Sequence, residues 1–121
     1  MAAADPSDPA EKARMLIYTL NYFRKSLTLA TLVEKQFVDS GRVSRGVKQR
    51  NDKGIWVLQA TGMPSILIEL GFITNKEEEE YMNSEKGQAT IVENIMNALR
   101  AYIAGAEPKP AVKDETKPKA F

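Results

Sequence analysis

The chain has 121 residues, with 17 Lys and Arg against 16 Asp and Glu, and a formal net charge of +1. This length allows one domain at most, and the near-neutral charge does not favour nucleic acid as a partner. The absence of Cys and His excludes disulfides, thiol catalysis, histidine-based triads and the usual nitrogen and sulfur ligands of zinc. No stretch approaches the roughly 20 apolar residues of a membrane span, and the N-terminus has no signal-peptide pattern. We therefore expect no transmembrane segment.

A long helix is predicted near the N-terminus. Residues 1–9 form an extended lead-in in which Ser7 or Asp8 can cap a helix that has Pro9 in its first turn. Apolar residues then recur every three or four positions, which predicts one amphipathic helix over residues 10–40, ended by Gly41. The apolar positions are Leu16, Leu20, Phe23, Leu27, Ala30, Val33 and Phe37. We expect this face to pack against a sheet; the alternative is a membrane-surface or coiled-coil role.

A basic loop follows the long helix. Residues 41–54 are polar and contain three glycines and five cationic residues, Arg42, Arg45, Lys48, Arg50 and Lys53. One interpretation is a solvated loop. The other is the edge of a groove that binds carboxylates or sugars, because guanidinium groups bind carboxylates in bidentate geometry. The residue types alone favour the solvated loop.

Two strands are predicted after this loop. The β-branched and aromatic run Ile55-Trp56-Val57-Leu58 predicts a strand over residues 55–60, in which Trp56 packs on the sheet more readily than it binds sugar. The three consecutive aliphatic residues 66–68 predict a second strand over residues 65–70, covered on both faces. The expected fold class is therefore α/β, with a partial sheet. Two strands alone are marginal, so we expect partner strands from other polypeptide.

Glu69 is the ionisable residue near the end of the second predicted strand. It could point to solvent or pair with a nearby cation, and the residue types alone favour this interpretation. It could also be a catalytic group, because open α/β sheets assemble their sites at the carboxyl ends of strands. Composition does not choose between the two.

Two helices and a tail complete the chain. Asn75, followed three residues later by Glu78, has capping-box spacing and predicts a short helix over residues 76–82. The acidic run Glu77 to Glu80 is typical of a solvated first turn rather than a metal site. Ser84 can cap a last helix over residues 85–104. Its apolar face contains Ile91, Ile95, Ala98, Leu99 and Tyr102. The Pro-, Lys- and Glu-rich residues 105–121 predict a disordered tail or linker.

The stretch around Glu69 resembles a known motif. Residues 64–75, written PSILIELGFITN, contain Pro64, a small residue, three aliphatic residues, Glu69, and a Gly-Phe-aliphatic-Thr-Asn ending at Asn75. This string is similar to the motif that carries the catalytic glutamate of the zinc-dependent N-acetylmuramoyl-L-alanine amidases of the amidase-3 family. The likeness continues through Ser26-Leu27-x-Leu29-Ala30 and Arg45-Gly46-Val47-Lys48, and covers about residues 8–104.

The resemblance implies a function and a division of the domain. In that family zinc polarises the amide that joins N-acetylmuramic acid to L-alanine in peptidoglycan, and the glutamate that corresponds to Glu69 is the general base for the attacking water. It also implies that zinc is held by a His, a Glu and a second His in a preceding N-terminal half. Residues 10–104 would then be the C-terminal half of the catalytic domain, with Arg45 and Lys48 as substrate contacts.

Three hypotheses follow. The first is a fragment of a peptidoglycan amidase whose parent acts at the cell envelope, as a periplasmic or secreted protein, and which has no turnover without its N-terminal half. The second is a non-catalytic module that binds peptidoglycan or a partner. The third is a structural or mistranslated fragment, which would unfold with poor cooperativity.

Overall fold

A computed structural model describes residues 5, 7–49, 58 and 61–108 of the chain. These residues contain three helices, α1 (Pro9–Asp39), α2 (Lys76–Asn83) and α3 (Glu85–Ile103). Each helix begins and ends within one residue of the predicted bounds, so the three helix predictions are confirmed. Among the described residues, no helix combines the length and the apolar character that crossing a membrane requires.

Local side-chain caps explain why the helices begin where they do. The Asp8 side chain accepts a hydrogen bond from the Ala10 N–H at 2.9 Å, so Asp8 rather than Ser7 caps α1. Asn75 Oδ1 accepts from the Glu78 N–H at 3.1 Å and caps α2. Ser84 Oγ accepts from the N–H of the third residue of α3 at 2.9 Å. Gly41, with φ +89°, follows the end of α1 in the left-handed region that glycine tolerates.

The core lies between the C-terminal half of α1 and α3. Leu32 and Val33 of α1 pack with Ala98 of α3, which is completely buried. Half-buried neighbours complete the cluster: Leu29, Phe37, Ile66, Ile68, Ala101, Tyr102 and Ala106. Asn94 of α3 is buried and donates to Ser40 Oγ at 3.0 Å. A buried polar group therefore joins α3 to the end of α1 at the edge of this core.

Gly87 lets α2 and α3 meet at a sharp corner. It is buried in the first turn of α3, and a Cβ there would lie 1.8 Å from the Tyr81 carbonyl oxygen of α2. No side chain fits at that distance. The corner holds the first turn of α3 against the last turn of α2.

The predicted apolar face of α1 is buried over only half its length. At 1.5 Å per residue, the 31 residues of α1 span about 46 Å, whereas the 19 residues of α3 span about 28 Å. Val33 is buried and Phe37 half-buried, but Leu16, Leu20 and Phe23 are exposed. The expectation that this face packs against a sheet is therefore wrong: its C-terminal half packs against α3, and its first four turns are exposed.

The expected α/β fold with two strands is also wrong. Among the described residues there is no strand, and residues 65–70 are irregular backbone. A strand needs a neighbouring backbone to bond with, but here side chains bond the segment's ends: Ser26 Oγ accepts from the Ser65 N–H, and Arg42 donates to the Leu70 carbonyl. Burial on both faces is wrong too, because Leu67 is 57% exposed. The predicted strand over residues 55–60 lies, apart from Leu58, outside the described residues.

Candidate active site

The segment that carries Glu69 is fastened to α1 at its start. The Ser65 N–H donates to Ser26 Oγ at 2.9 Å, and the Ser65 hydroxyl donates to the Leu58 carbonyl at 3.1 Å. Ile66 and Ile68 then pack against the core cluster of α1 and α3. Alternate residues of this segment therefore face the core, and the residues between them face away from it.

Glu69 is on the side that faces away from the core. Its side chain is exposed, as is that of Leu67 two residues earlier. A shallow groove on the outer face of α3 is lined by other residues, including Glu85, Val92 and Met96, and not by Glu69. The structure thus presents Glu69 as an accessible carboxylate on a segment that packs against the core through Ile66 and Ile68.

Arg42 holds the backbone immediately after Glu69. Its guanidinium donates a hydrogen bond to the Leu70 carbonyl. The same group lies 5.0 Å from the ring centroid of Tyr81 in α2 and 5.5 Å from that of Phe37 in α1. These distances are within the range of cation–π attraction. The Arg42 side chain therefore contacts the end of α1, the last turn of α2 and the segment that carries Glu69.

A second set of contacts holds the next residues. Glu78 of α2 accepts a hydrogen bond from the Phe72 N–H at 2.6 Å, and its carboxylate lies 3.6 Å from the Arg45 guanidinium. That guanidinium sits 3.3 Å from the centroid of the Phe72 ring. In a capping box, Glu78 would instead accept from the Asn75 N–H, which here donates to the Phe72 carbonyl at 3.1 Å. Only the Asn75 half of the predicted capping box is therefore present.

The candidate substrate contacts lie in the loop after α1. Arg45 is exposed, but its described contacts are with Glu78 and Phe72 of the same chain. Lys48 is exposed three residues further along this loop. The structure brings Arg45 to the turn after Glu69, which fits a structural role for its guanidinium at least as well as a substrate contact.

The described residues offer no zinc site of the usual kind. The chain has no His and no Cys, and the described residues contain no group of three or more acidic side chains that could hold a metal ion. The acidic run in the first turn of α2 faces several directions. Glu78 turns inward to Phe72 and Arg45, whereas Glu77, Glu79 and Glu80 are exposed.

Comparison with known proteins identifies the family. The family model for N-acetylmuramoyl-L-alanine amidase, Amidase_3, matches residues 7–101. The chain belongs to this family. The matched stretch contains α1, Glu69, both arginine contacts, α2 and nearly all of α3.

The curated relatives of this amidase-family chain include named and uncharacterized proteins. It is 36% identical over 78 residues to the uncharacterized protein YqiI of Bacillus subtilis, covering 64% of this chain and 36% of that protein. It is 32% identical over 95 residues to the amidase AmiC of Escherichia coli, covering 75% of this chain and 23% of AmiC. It is 26% identical over 102 residues to the probable cell wall amidase LytH of Staphylococcus epidermidis, covering 83% of this chain and 33% of LytH.

The chain therefore spans about a quarter to a third of the length of these relatives. No solved structure matches it.

Sequence reasoning missed the roles of Arg42, Glu78 and Tyr81. Arg42 and Arg45 were recognisable as cations of one loop, and Glu78 as a capping residue. No sequence signal showed that their side chains together hold the backbone of residues 70–72, because Arg42 and Leu70 are 28 residues apart.

Proposed function

We propose that this chain provides the general base of a peptidoglycan amidase, Glu69, for hydrolysis of the amide between N-acetylmuramic acid and L-alanine. Family membership supports the reaction class. The observation that carries the assignment of Glu69 is its place in the motif of residues 64–75, inside the stretch that the family model matches. Its carboxylate is also accessible to water, on a segment held at both ends by Ser26 and Arg42. A general base needs this combination of access to water and a fixed position.

The proposed role of Glu69 is proton transfer. Its carboxylate takes a proton from water as the water oxygen bonds to the amide carbonyl carbon. The same proton then passes to the nitrogen of L-alanine as the carbon–nitrogen bond breaks. The products are the free muramyl carboxylate and an L-alanine with a free amino group, and Glu69 returns to its ionised form.

We also propose that any zinc used in this reaction is held by residues outside these 121. The lack of His and Cys in the chain supports this proposal. The isolated chain would then have no amidase turnover. The names of the LytH and AmiC relatives further support a parent protein that acts at the cell envelope.

The test uses E. coli AmiC in which the full 121-residue chain replaces the matched segment. We expect this fusion to release L-alanine amino groups from muramyl peptides, and Glu69→Gln to lower kcat by about 10²–10⁴-fold, the usual contribution of a general base. Glu79→Gln is the matched control, because Glu79 is an exposed carboxylate on α2. A folded Glu69→Gln fusion with the turnover of the Glu79→Gln fusion would exclude the proposed role.

A second candidate function is a non-catalytic module that binds peptidoglycan or a partner. The lack of His and Cys in the chain favours it. Co-sedimentation of the full chain with peptidoglycan separates the two functions. The module predicts binding that survives both Glu69→Gln and a chelator, together with a fusion that folds but exposes no L-alanine amino groups.

A further inference from the structure

We propose that Arg42 is the positioning residue for Glu69, an inference that rests on the catalytic role proposed above for Glu69. Arg42 lies outside the motif that resembles the catalytic glutamate string and outside the Arg45-Gly46-Val47-Lys48 likeness. Its contact with Leu70 is the described bond nearest to Glu69 on the C-terminal side. The contact fixes the peptide group between Leu70 and Gly71, one residue beyond Glu69.

The surroundings of Arg42 limit its own movement. The side chain is half-buried, and its guanidinium is near two aromatic rings that belong to different helices, Phe37 of α1 and Tyr81 of α2. A planar guanidinium can lie against a ring face and still donate hydrogen bonds at its edge. Arg42 therefore transmits the positions of α1 and α2 to the Leu70 carbonyl.

The turn after Glu69 is held on both sides of Gly71. Arg42 binds the carbonyl before Gly71, and Glu78 binds the N–H after it. The two ties are close together, because a Cβ on Gly71 would lie 3.3 Å from Arg42 Nη2 and 3.2 Å from Glu78 Oε2. The backbone leaving Glu69 is thus fixed by side chains where a strand would be fixed by a neighbouring strand.

Loss of the Arg42 bond would free the Glu69 backbone without removing its carboxylate. A displacement of about 1 Å can cost a reaction up to roughly 100-fold in rate. We expect Arg42→Gln in the AmiC fusion to lower kcat about 10- to 100-fold while KM stays within about twofold. The kcat of Arg42→Lys should lie between that of Arg42→Gln and that of the unsubstituted fusion. A lysine can donate a hydrogen bond to the Leu70 carbonyl, but it lacks the planar guanidinium.

The control is Arg14→Gln, which removes an exposed guanidinium that pairs with Glu11 at 2.8 Å. It should leave kcat unchanged. A parental kcat in Arg42→Gln, or a raised KM with parental kcat, would overturn the positioning role even if Glu69→Gln abolishes turnover. If Glu69→Gln keeps full turnover, the proposed function fails instead, so the two failures are distinguishable.

A measurement on the full chain alone tests the same contact without catalysis. The carbonyl carbon of Leu70 should shift upfield in the NMR spectrum of Arg42→Gln, because its hydrogen-bond donor is lost. Arg42→Lys should retain part of the shift, and Arg14→Gln should leave it unchanged. An unchanged Leu70 carbonyl signal in Arg42→Gln would overturn the inference, including in the case that the fusion variant does not fold.

Discussion

Gly71 is the residue at which the backbone after Glu69 comes closest to Arg42 and Glu78. Its φ of +152° lies in a region that other residues rarely adopt, and its two nearest side-chain atoms leave no room for a methyl group without a shift. The same is not true of Gly41, which has φ +89° but has nothing within 4 Å of the position that a Cβ would take. A substitution at Gly41 would therefore introduce backbone strain alone, whereas the same substitution at Gly71 would introduce both backbone strain and steric crowding.

We expect Gly71→Ala to lower the free energy of unfolding by more than Gly41→Ala does. Each substitution carries backbone strain of about 1–3 kcal/mol, but only Gly71→Ala also pushes against Arg42 and Glu78. Urea unfolding of the full chain measures the difference. Hydrogen exchange should also speed up at the Phe72 amide in Gly71→Ala alone. Equal losses with no change at Phe72 would show that the two side chains do not hold this turn.

At the scale of elements, α1 contains two environments in one continuous helix. Leu32 is 7% exposed, whereas Leu20 is 51% exposed on the overhanging half. We expect Leu32→Ala to lower the free energy of unfolding by about 2–5 kcal/mol, because it removes buried methyl groups and leaves a cavity. Leu20→Ala, the same chemical change in the same helix, should stay within about 0.5 kcal/mol. Denaturant unfolding of both variants checks this, and similar losses would mean that the first half of α1 is covered in solution.

The helices could be predicted from sequence because their signals are local. Asp8, Asn75 and Ser84 cap the helices that follow them, and glycines lie just beyond the ends of α1 and α3. The three-and-four spacing identified only part of the buried face of α1, because Val33 and Phe37 are in the core cluster but so are Leu29 and Leu32, which were not on the predicted face. It could not tell how far along the helix that face would be buried, because burial depends on the length of α3 opposite it.

The strand and the site depended on distant residues. The aliphatic run 66–68 is compatible with a strand, but strand formation requires a partner that the run itself does not specify. Glu69 was singled out by resemblance to the family motif rather than by its spacing. Arg42 binds the Leu70 carbonyl from a position 28 residues earlier in the chain, so no periodic pattern could have paired the two residues.

At the scale of the whole molecule, the chemistry of the donor set makes zinc binding a direct test. The chain has carboxylates but no His or Cys, and among the described residues no three acidic groups converge on one point. Zinc sites in proteins use nitrogen and sulfur ligands with carboxylates in a tetrahedral arrangement. We therefore expect isothermal titration of the full chain with zinc to give no one-to-one binding.

A metal that binds the folded state raises its melting temperature, so EDTA should leave the Tm of this chain unchanged. The AmiC fusion should lose stability on chelation if it holds zinc, which makes it the positive control. Stoichiometric zinc uptake by the isolated chain would contradict the proposal that the metal ligands lie outside these 121 residues.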